Sequence, residues 1–319
     1  MSSRVRRSNK SVTSLLSARV ARARGVTRES EEVPKLLASR AGVVDLDLEE
    51  VEEMFTQSWS RIPRVTNPPR PGLYLHVSDL LGKCLRKSVL ADKVKMPMPV
   101  EQLSDGVALT FHIGDAVHNF VKARAAVGRG EHLYGDWECR CGKLHVTHTL
   151  YPEAAEQVCE TCGTPANRYR ELNILNDELM VTGSPDMLFY YKRHDALLPV
   201  EIKSISHDEW KELSRPKPDH LLQVLFYWYL LRESGRRVLP SVVVLYVTKG
   251  YVFGSPYKTF VLDAPSVEGR LAPYIAEAKA RKVAVEAGVV PARTLCSSPE
   301  ATDAKKCHLV AACFSRAYP

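Results

Sequence analysis

The sequence predicts an α/β chain in which a central mixed sheet is flanked by helices, with a ribbon-like metal module inserted and a cysteine clasp near the C-terminus. Three observations carry this expectation. Strand-like runs at 179–191, 196–204 and 241–248 alternate with helical patterns at 107–127 and 219–234, as in a sheet covered by helices. Two close cysteine pairs, Cys139/Cys141 and Cys159/Cys162, interrupt that alternation. Three further cysteines, Cys296, Cys307 and Cys313, follow the last predicted helix.

A chain of 319 residues, 45% hydrophobic and 25% charged, can bury a substantial core as one large domain with extensions or as two small ones. No run reaches the ~20 apolar residues of a membrane span, so no membrane partner is expected. The opening MSSRVRRSNK is too basic and too poor in apolar residues for a secretory signal, which predicts an intracellular, cytoplasmic protein. The net charge of +7 is uneven: residues 1–28 carry eight Arg or Lys and no acid, whereas residues 29–55 carry nine acids against Lys35 and Arg40. An Arg-rich arm on a mildly basic body suits a phosphate backbone. The arm alone reads as a solvated, partly disordered tail, with an organelle transit peptide as the alternative.

Along the chain, residues 1–60 combine the basic arm with an acidic helical segment. In that segment Asp47 caps a helix through Trp59, and Leu48, Val51, Met54 and Phe55 form a packing stripe. Residues 61–72 hold Pro63, Pro68, Pro69 and Pro71 and read as an extended linker, and residues 73–319 form the folded body. The body opens with LHVSDLLGKCLRKSVL, a helix capped by Ser78 or Asp79 that carries Cys84, Arg86 and Lys87 near its middle. A single cysteine there is by default a small buried hydrophobe. In the next helix Gly114 and His118 lie one turn apart on one face, and a lone His on an apolar face is by default a satisfied core residue.

The insert at 135–169 has the spacing C-x-C, seventeen residues, C-x-x-C, with Gly142 and Gly163 just after the pairs. This is the pattern of a zinc ribbon: four thiolates arranged tetrahedrally with no open coordination position, hence a structural Zn²⁺. The sheet pattern resumes with a strand from Arg168 to Leu175 and a turn at Asn176-Asp177. Two runs follow, Leu179–Tyr191 and Ala196–Ser204, joined by the turn Lys192–Asp195. Glu171 lies on the first strand, as a support for the site or as a surface charge.

Asp186 follows Gly-Ser-Pro in the first run, while Glu201 and Lys203 share one face of the second. Two carboxylates from adjacent strands beside an ammonium suit Mg²⁺ or Mn²⁺, which take few protein oxygens and leave room for water and phosphate. The bland alternative is an exposed ion pair. Downstream, Asp219 caps a helix apolar nearly all round, with Gln223 and Tyr227 four apart on one face. A strand at 241–248, a second run at 251–262 and a helix at 266–288 complete the body. The three C-terminal thiols leave only Cys84 as a fourth, and four such thiolates hold either Zn²⁺ or a [4Fe-4S] cluster.

The order helix, three strands, helix, strand, with these residues on it, resembles the PD-(D/E)XK (restriction-endonuclease-like) nucleases. Within them it is similar to the RecB-like branch, marked by a helical His, an Asp after a Gly-x-x step, Glu-x-Lys and Gln-x-x-x-Tyr. Those positions are His118, Gly183 to Asp186, Glu201 to Lys203, and Gln223 to Tyr227. One cysteine before the core and three after it resemble the iron-sulfur subset, which includes the CRISPR-associated RecB-like exonucleases, AddB-type nuclease domains and phage exonucleases. The resemblance covers residues 73–319. It departs at the long gap from Cys296 to Cys307, which leaves Zn²⁺ open for that centre, and at the ribbon, which leaves the substrate open.

The resemblance implies that His118, Asp186, Glu201 and the Ile202 carbonyl hold Mg²⁺ or Mn²⁺, that Lys203 orients the attacking water, and that Gln223 and Tyr227 position the strand. Cys84, Cys296, Cys307 and Cys313 would hold the cluster. The implied activity is a metal-dependent DNA exonuclease acting on ends or single strands in replication, recombination or repair, with proteins of those pathways as partners. An endonuclease of the same fold and a non-catalytic DNA-binding subunit are the alternatives.

Overall fold

The computed structural model describes Glu53 and residues 74–81, 84–94, 105–305 and 307–318. The chain divides into two units, Met1–Pro63 and Arg64–Pro319, and everything below concerns the second. The basic arm, the helix expected from Asp47 and the proline-rich linker lie, apart from Glu53, outside the described residues.

The body is mixed α/β. Strand β1 (Leu75–His76) leads into a one-turn helix α1 (Val77–Leu80), followed by α2 (Leu85–Val94) and the long α3 (Asp105–Arg129). A small module comes next: β2 (Tyr134–Glu138), β3 (His145–Leu150), α4 (Tyr151–Ala155) and β4 (Arg168–Arg170). Strands β5 (Ile174–Asn176), β6 (Val181–Gly183), β7 (Met187–Tyr191) and β8 (Ala196–Ile205) precede α5 (His207–Glu212) and α6 (Pro218–Glu233). Then come β9 (Ser241–Thr248), β10 (Tyr257–Asp263), α7 (Ala264–Val267), α8 (Ala272–Glu286) and the short α9 (Thr302–Lys305) and α10 (Val310–Cys313).

The main sheet has the order β10-β9-β8-β7 and is mixed: β8 runs parallel to β9, and both outer pairs are antiparallel. Parallel β8 and β9 require a crossover, which α5 and α6 supply. Both central strands are buried almost throughout, because helices cover each face of the sheet. On one face Leu197 and Ile205 of β8 join Val242, Val244 and Tyr246 of β9 against the apolar helix α6. On the other, Leu198, Val200 and Ile202 pack with Val243 and Val247 against Val121 of α3 and Trp137 of the ribbon.

Four expected elements differ from those observed. The run 179–191 is two strands in different sheets, because Pro185 has no N–H for a ladder and its ring restricts Ser184. β6 pairs with β1 and β5, β7 pairs with β8, and Asp186 stands at the corner between them. The strand expected from Arg168 to Leu175 likewise splits into β4, in the ribbon sheet, and β5. Cys84 precedes α2 instead of lying mid-helix, since α1, with His76 as its N-cap in place of Ser78 or Asp79, ends at Leu80 and the next helix starts at Leu85. Lys217, not Asp219, is the N-cap of α6, because Pro218 takes the first helical position, where its missing N–H costs nothing.

Gly183 marks the tightest approach in this corner. A methyl group there would stand 2.6 Å from Tyr227 Cε1 and 2.9 Å from Val77 Cγ2, both fully buried. Overpacking of this kind costs about 1–3 kcal/mol. Gly183→Ala should therefore lower the thermal midpoint by several degrees, and an unchanged midpoint in calorimetry would contradict this packing.

Candidate active site

The site forms where β7 and β8 of the main sheet part from the small β1-β6-β5 sheet. The last antiparallel pair there is Met187↔Val200, so one more step of the register sets Asp186 opposite Glu201. Asp186 Oδ2 accepts from the Ile202 amide at 2.6 Å, and Oδ1 accepts from His118 Nδ1 at 3.1 Å. The helix bearing His118 sits close to β8: a Cβ at Gly114 would be 3.3 Å from Ser204 Oγ. One turn beyond His118, Lys122 pairs with Glu171 at 2.7 Å. Glu171 lies in the break between β4 and β5, and this ion pair ties its partly exposed side chain to the helix that bears His118.

From β8, Glu201 and Lys203 turn to the α6 face and meet at 2.6 Å. Lys203 Nζ also donates to Gln223 Oε1 at 2.9 Å, and because lysine is only a donor this fixes the amide orientation. Gln223 Nε2 then donates to Tyr227 OH at 2.8 Å. All six side chains expected to act together are thus joined in two chains: His118–Asp186, between α3 and the start of β7, and Glu201–Lys203–Gln223–Tyr227, between β8 and α6.

Electrostatics set the character of this corner. Glu201 is 3% exposed and Asp186 8%. Burial and then the neighbouring Asp186 push the Glu201 carboxyl well above the usual carboxylate range, against the pull of Lys203. Burial and Asp186 also raise Glu171, against Lys122. Burial, followed by Glu201, raises the Tyr227 phenol. Carboxylates that repel one another in a low-dielectric corner are a hard-oxygen set that suits a divalent cation. Each already has a protein partner, so a cation would exchange those bonds for its own. Their ligand atoms are accordingly not gathered as the ribbon thiols are.

Besides Lys122, two residues at the site carry no motif in the sequence. His220 lies one turn before Gln223 on α6, and Tyr246 is opposite Lys203 in the parallel register. The Lys217 amide donates to Tyr246 OH at 2.9 Å, and the same hydroxyl shares a hydrogen bond with His220 Nδ1 at 2.8 Å. Burial, then Lys203 and Lys217, bring His220 down to about 4, which keeps the ring neutral. The helical spacing to Gln223 was the available signal.

Among the described residues, one group of His, Cys, Asp and Glu has all its ligand atoms within 4.8 Å of one another: Cys139, Cys141, Cys159 and Cys162. Gly142 and Gly163 have φ of +73° and +64°, the left-handed turns that fold each pair back on itself. The Leu144 amide donates to Cys139 Sγ at 3.2 Å, and bonds from the Thr164 side chain and backbone bring Cys162 down to about 5. A donor set of four thiols backed by such bonds can hold a metal ion.

Cys84, Cys296, Cys307 and Cys313 also converge, more loosely. Burial raises the Cys296 thiol, and Cys84, Cys307 and Cys313 each add to the shift. Arg86, 1% exposed, crosses this junction: its Nε donates to Cys313 Sγ at 3.2 Å and its Nη2 to the Cys313 carbonyl at 3.1 Å and to the Tyr318 carbonyl. Arg293 donates to the same Cys313 carbonyl at 2.8 Å. The junction is therefore held by Arg86 and Arg293, to which the sequence assigned no role.

Neither a family model nor a curated protein matches the chain. Among solved structures it is similar to the alkaline exonuclease LHK-Exo from Laribacter hongkongensis, at 12% identity and TM-score 0.39 over 73% of this chain and 93% of that one. The complex of LHK-Exo with dAMP matches at 14% and 0.39, over 68% and 90%. The protein SSO0001 matches at 13% and 0.37, over 73% and 86%. No described helix is long and apolar enough to cross a membrane.

The raised Glu201 and Glu171 make a pH prediction. A carboxyl whose pKa is higher folded than unfolded favours the fold below the unfolded value, here 4.5, and loses that contribution as pH rises through the folded value. Without added divalent cation, Glu201→Gln should gain stability over the parent as pH rises from mildly acidic to mildly alkaline. Added Mn²⁺ should reverse the order, since it binds the deprotonated parent. Thermal unfolding curves that stay parallel across this range would refute the assignment.

Proposed function

We propose that the protein is a metal-dependent deoxyribonuclease, acting as an exonuclease on DNA ends or single strands in replication, recombination or repair. The observation that carries this reading is the meeting of Asp186, Glu201 and Lys203 at one end of β8, with His118 bonded to the first and Gln223 to the last. His118, Asp186, Glu201 and the Ile202 carbonyl would hold Mg²⁺ or Mn²⁺, which when bound polarises the scissile phosphate and acidifies water. Lys203, anchored by Glu201 and Gln223, has one remaining donor to orient the attacking water in line with the phosphorus. Its ammonium also offsets the negative charge that builds on the phosphoryl oxygens. Asp186 is kept in place by the Ile202 amide, so the backbone of β8 itself fixes the first carboxylate. The Gln223–Tyr227 pair would hold Lys203 and set one wall for the incoming strand.

The ribbon thiols would hold a structural Zn²⁺, and Cys84, Cys296, Cys307 and Cys313 a [4Fe-4S] cluster. Arg86 supports the second assignment, because hydrogen bonds to cluster sulfurs tune and shield such centres. The role is a staple between α2 and the C-terminal segment, not redox chemistry. Protein purified anaerobically should be brown and contain iron besides zinc. Metal analysis that finds zinc at both centres and no iron would overturn the cluster.

Lys203→Ala should cut cleavage of end-labelled linear DNA by at least about a hundredfold while affinity changes little. Folding should survive, because Glu201 can take up a proton once its partner is gone. Covalently closed circles should resist the parent enzyme; rapid nicking of circles would favour an endonuclease of the same fold. Undiminished cleavage by Lys203→Ala would sink the mechanism.

A further inference from the structure

We propose that Tyr251 and Phe253 form a stacking platform for the bases of a single nucleic-acid strand at the mouth of the site, an inference that rests on the nuclease reading above. The two rings stand on the loop between β9 and β10, 78% and 86% exposed, edge to face at a centroid distance of 5.3 Å. Loop positions favour small polar residues, and Gly250, Gly254, Ser255 and Pro256 already supply the turn chemistry. Two large rings in water are therefore not explained by the turn.

The loop's base is fixed to the end of the catalytic strand. Lys249 N donates to the Ile205 carbonyl at 2.9 Å, two residues past Lys203, and Thr248 N donates to the Pro256 carbonyl at 3.1 Å, closing the loop. Lys249 Nζ reaches the Thr110 carbonyl of α3 at 3.4 Å, and Gly250 packs so closely on His207 that a Cβ would be 2.7 Å from its Cβ. The rings thus project from a base clamped between α3 and α5, at the C-terminal end of β8, two residues past Lys203 and four past Glu201.

Charge and chemistry select the occupant. Residues 249–256 contain one lysine and no acid, so the loop offers an ammonium for a phosphate and nothing to repel it. Aromatic faces stack on any base, but only on bases whose own faces are free, which duplex pairing denies. The combination fits a single strand read without regard to sequence, and it would favour single-stranded over blunt duplex DNA at this mouth.

The test measures binding alone, on the full chain carrying Lys203→Ala. Three fluorescent probes are compared: a single-stranded oligonucleotide, the same strand with abasic positions, and a blunt duplex. Tyr251→Ala with Phe253→Ala should weaken the base-bearing strand about tenfold or more, leave the duplex unchanged, and abolish discrimination against abasic positions. Tyr251→Trp with Phe253→Trp should restore both affinity and discrimination, which also excludes misfolding as the cause. Unchanged single-strand affinity in the double alanine variant, or an equal loss on base-bearing, abasic and duplex probes, would overturn the platform. Absence of cleavage by the parent would instead sink the nuclease reading and leave the binding result standing.

Discussion

The constraint on which the rest of this structure turns is the crowding of Glu171, Asp186 and Glu201 into one largely buried corner. Isolated buried charges are strongly disfavoured, and like charges a few ångströms apart are worse. The polar architecture is arranged to answer that. Lys122 serves Glu171, His118 and the Ile202 amide serve Asp186, and Lys203 serves Glu201. Gln223 and Tyr227 then hold the lysine, and Gly183 leaves room for the Tyr227 ring. The compensation stays incomplete, since Glu171 and Glu201 remain raised. An arrangement kept this way is poor for stability and well suited to taking up a cation.

That corner can exist only because the chain changes sheets at Ser184–Asp186. A continuous strand from 179 to 191 would have sent Asp186 to one face of one ladder, at a fixed distance from its neighbours. The break lets β6 pair with β1 while β7 pairs with β8, and the carboxylate folds back onto the Ile202 amide at the junction. β8 then divides its duties by parity: Val200 and Ile202 fill the core on the α3 side, while Glu201 and Lys203 face α6.

Much of this was legible in the sequence, and the losses have physical causes. Period-2 and period-3.6 patterns located α3, α6, β8 and β9: the last three are buried almost throughout, and α3 meets the sheet at Val121. The Glu201–Lys203 parity and the Gln223–Tyr227 spacing follow from element type alone. Both split strands were misjudged because the breaks, at 171–173 and 184–186, are only three residues long between strand-like flanks, and only pairing partners reveal that two sheets share one run. His220, Tyr246 and Lys122 were missed because none belongs to a motif; each matters through what stands across from it in another element. Arg86 is the sharpest case, an arginine two residues from Cys84 that is buried solely because the C-terminal segment returns to cover it.

The two cysteine groups show the same contrast between local and remote information. The ribbon thiols lie on two tight glycine turns, so spacing alone brings them within 4.8 Å of one another. The other four are set by the packing of α2 against the chain's last segment, and Arg86 reaches across that junction to three of its acceptors from one guanidinium. A junction secured by a planar fork of fixed donors is already oriented before any thiol is engaged. Closing more than two hundred residues between Cys84 and Cys296 is therefore achieved partly by protein contacts. Any metal bound there would secure a contact the arginine has already placed, and the carboxylate corner of Glu171, Asp186 and Glu201 lies wholly inside the loop so closed.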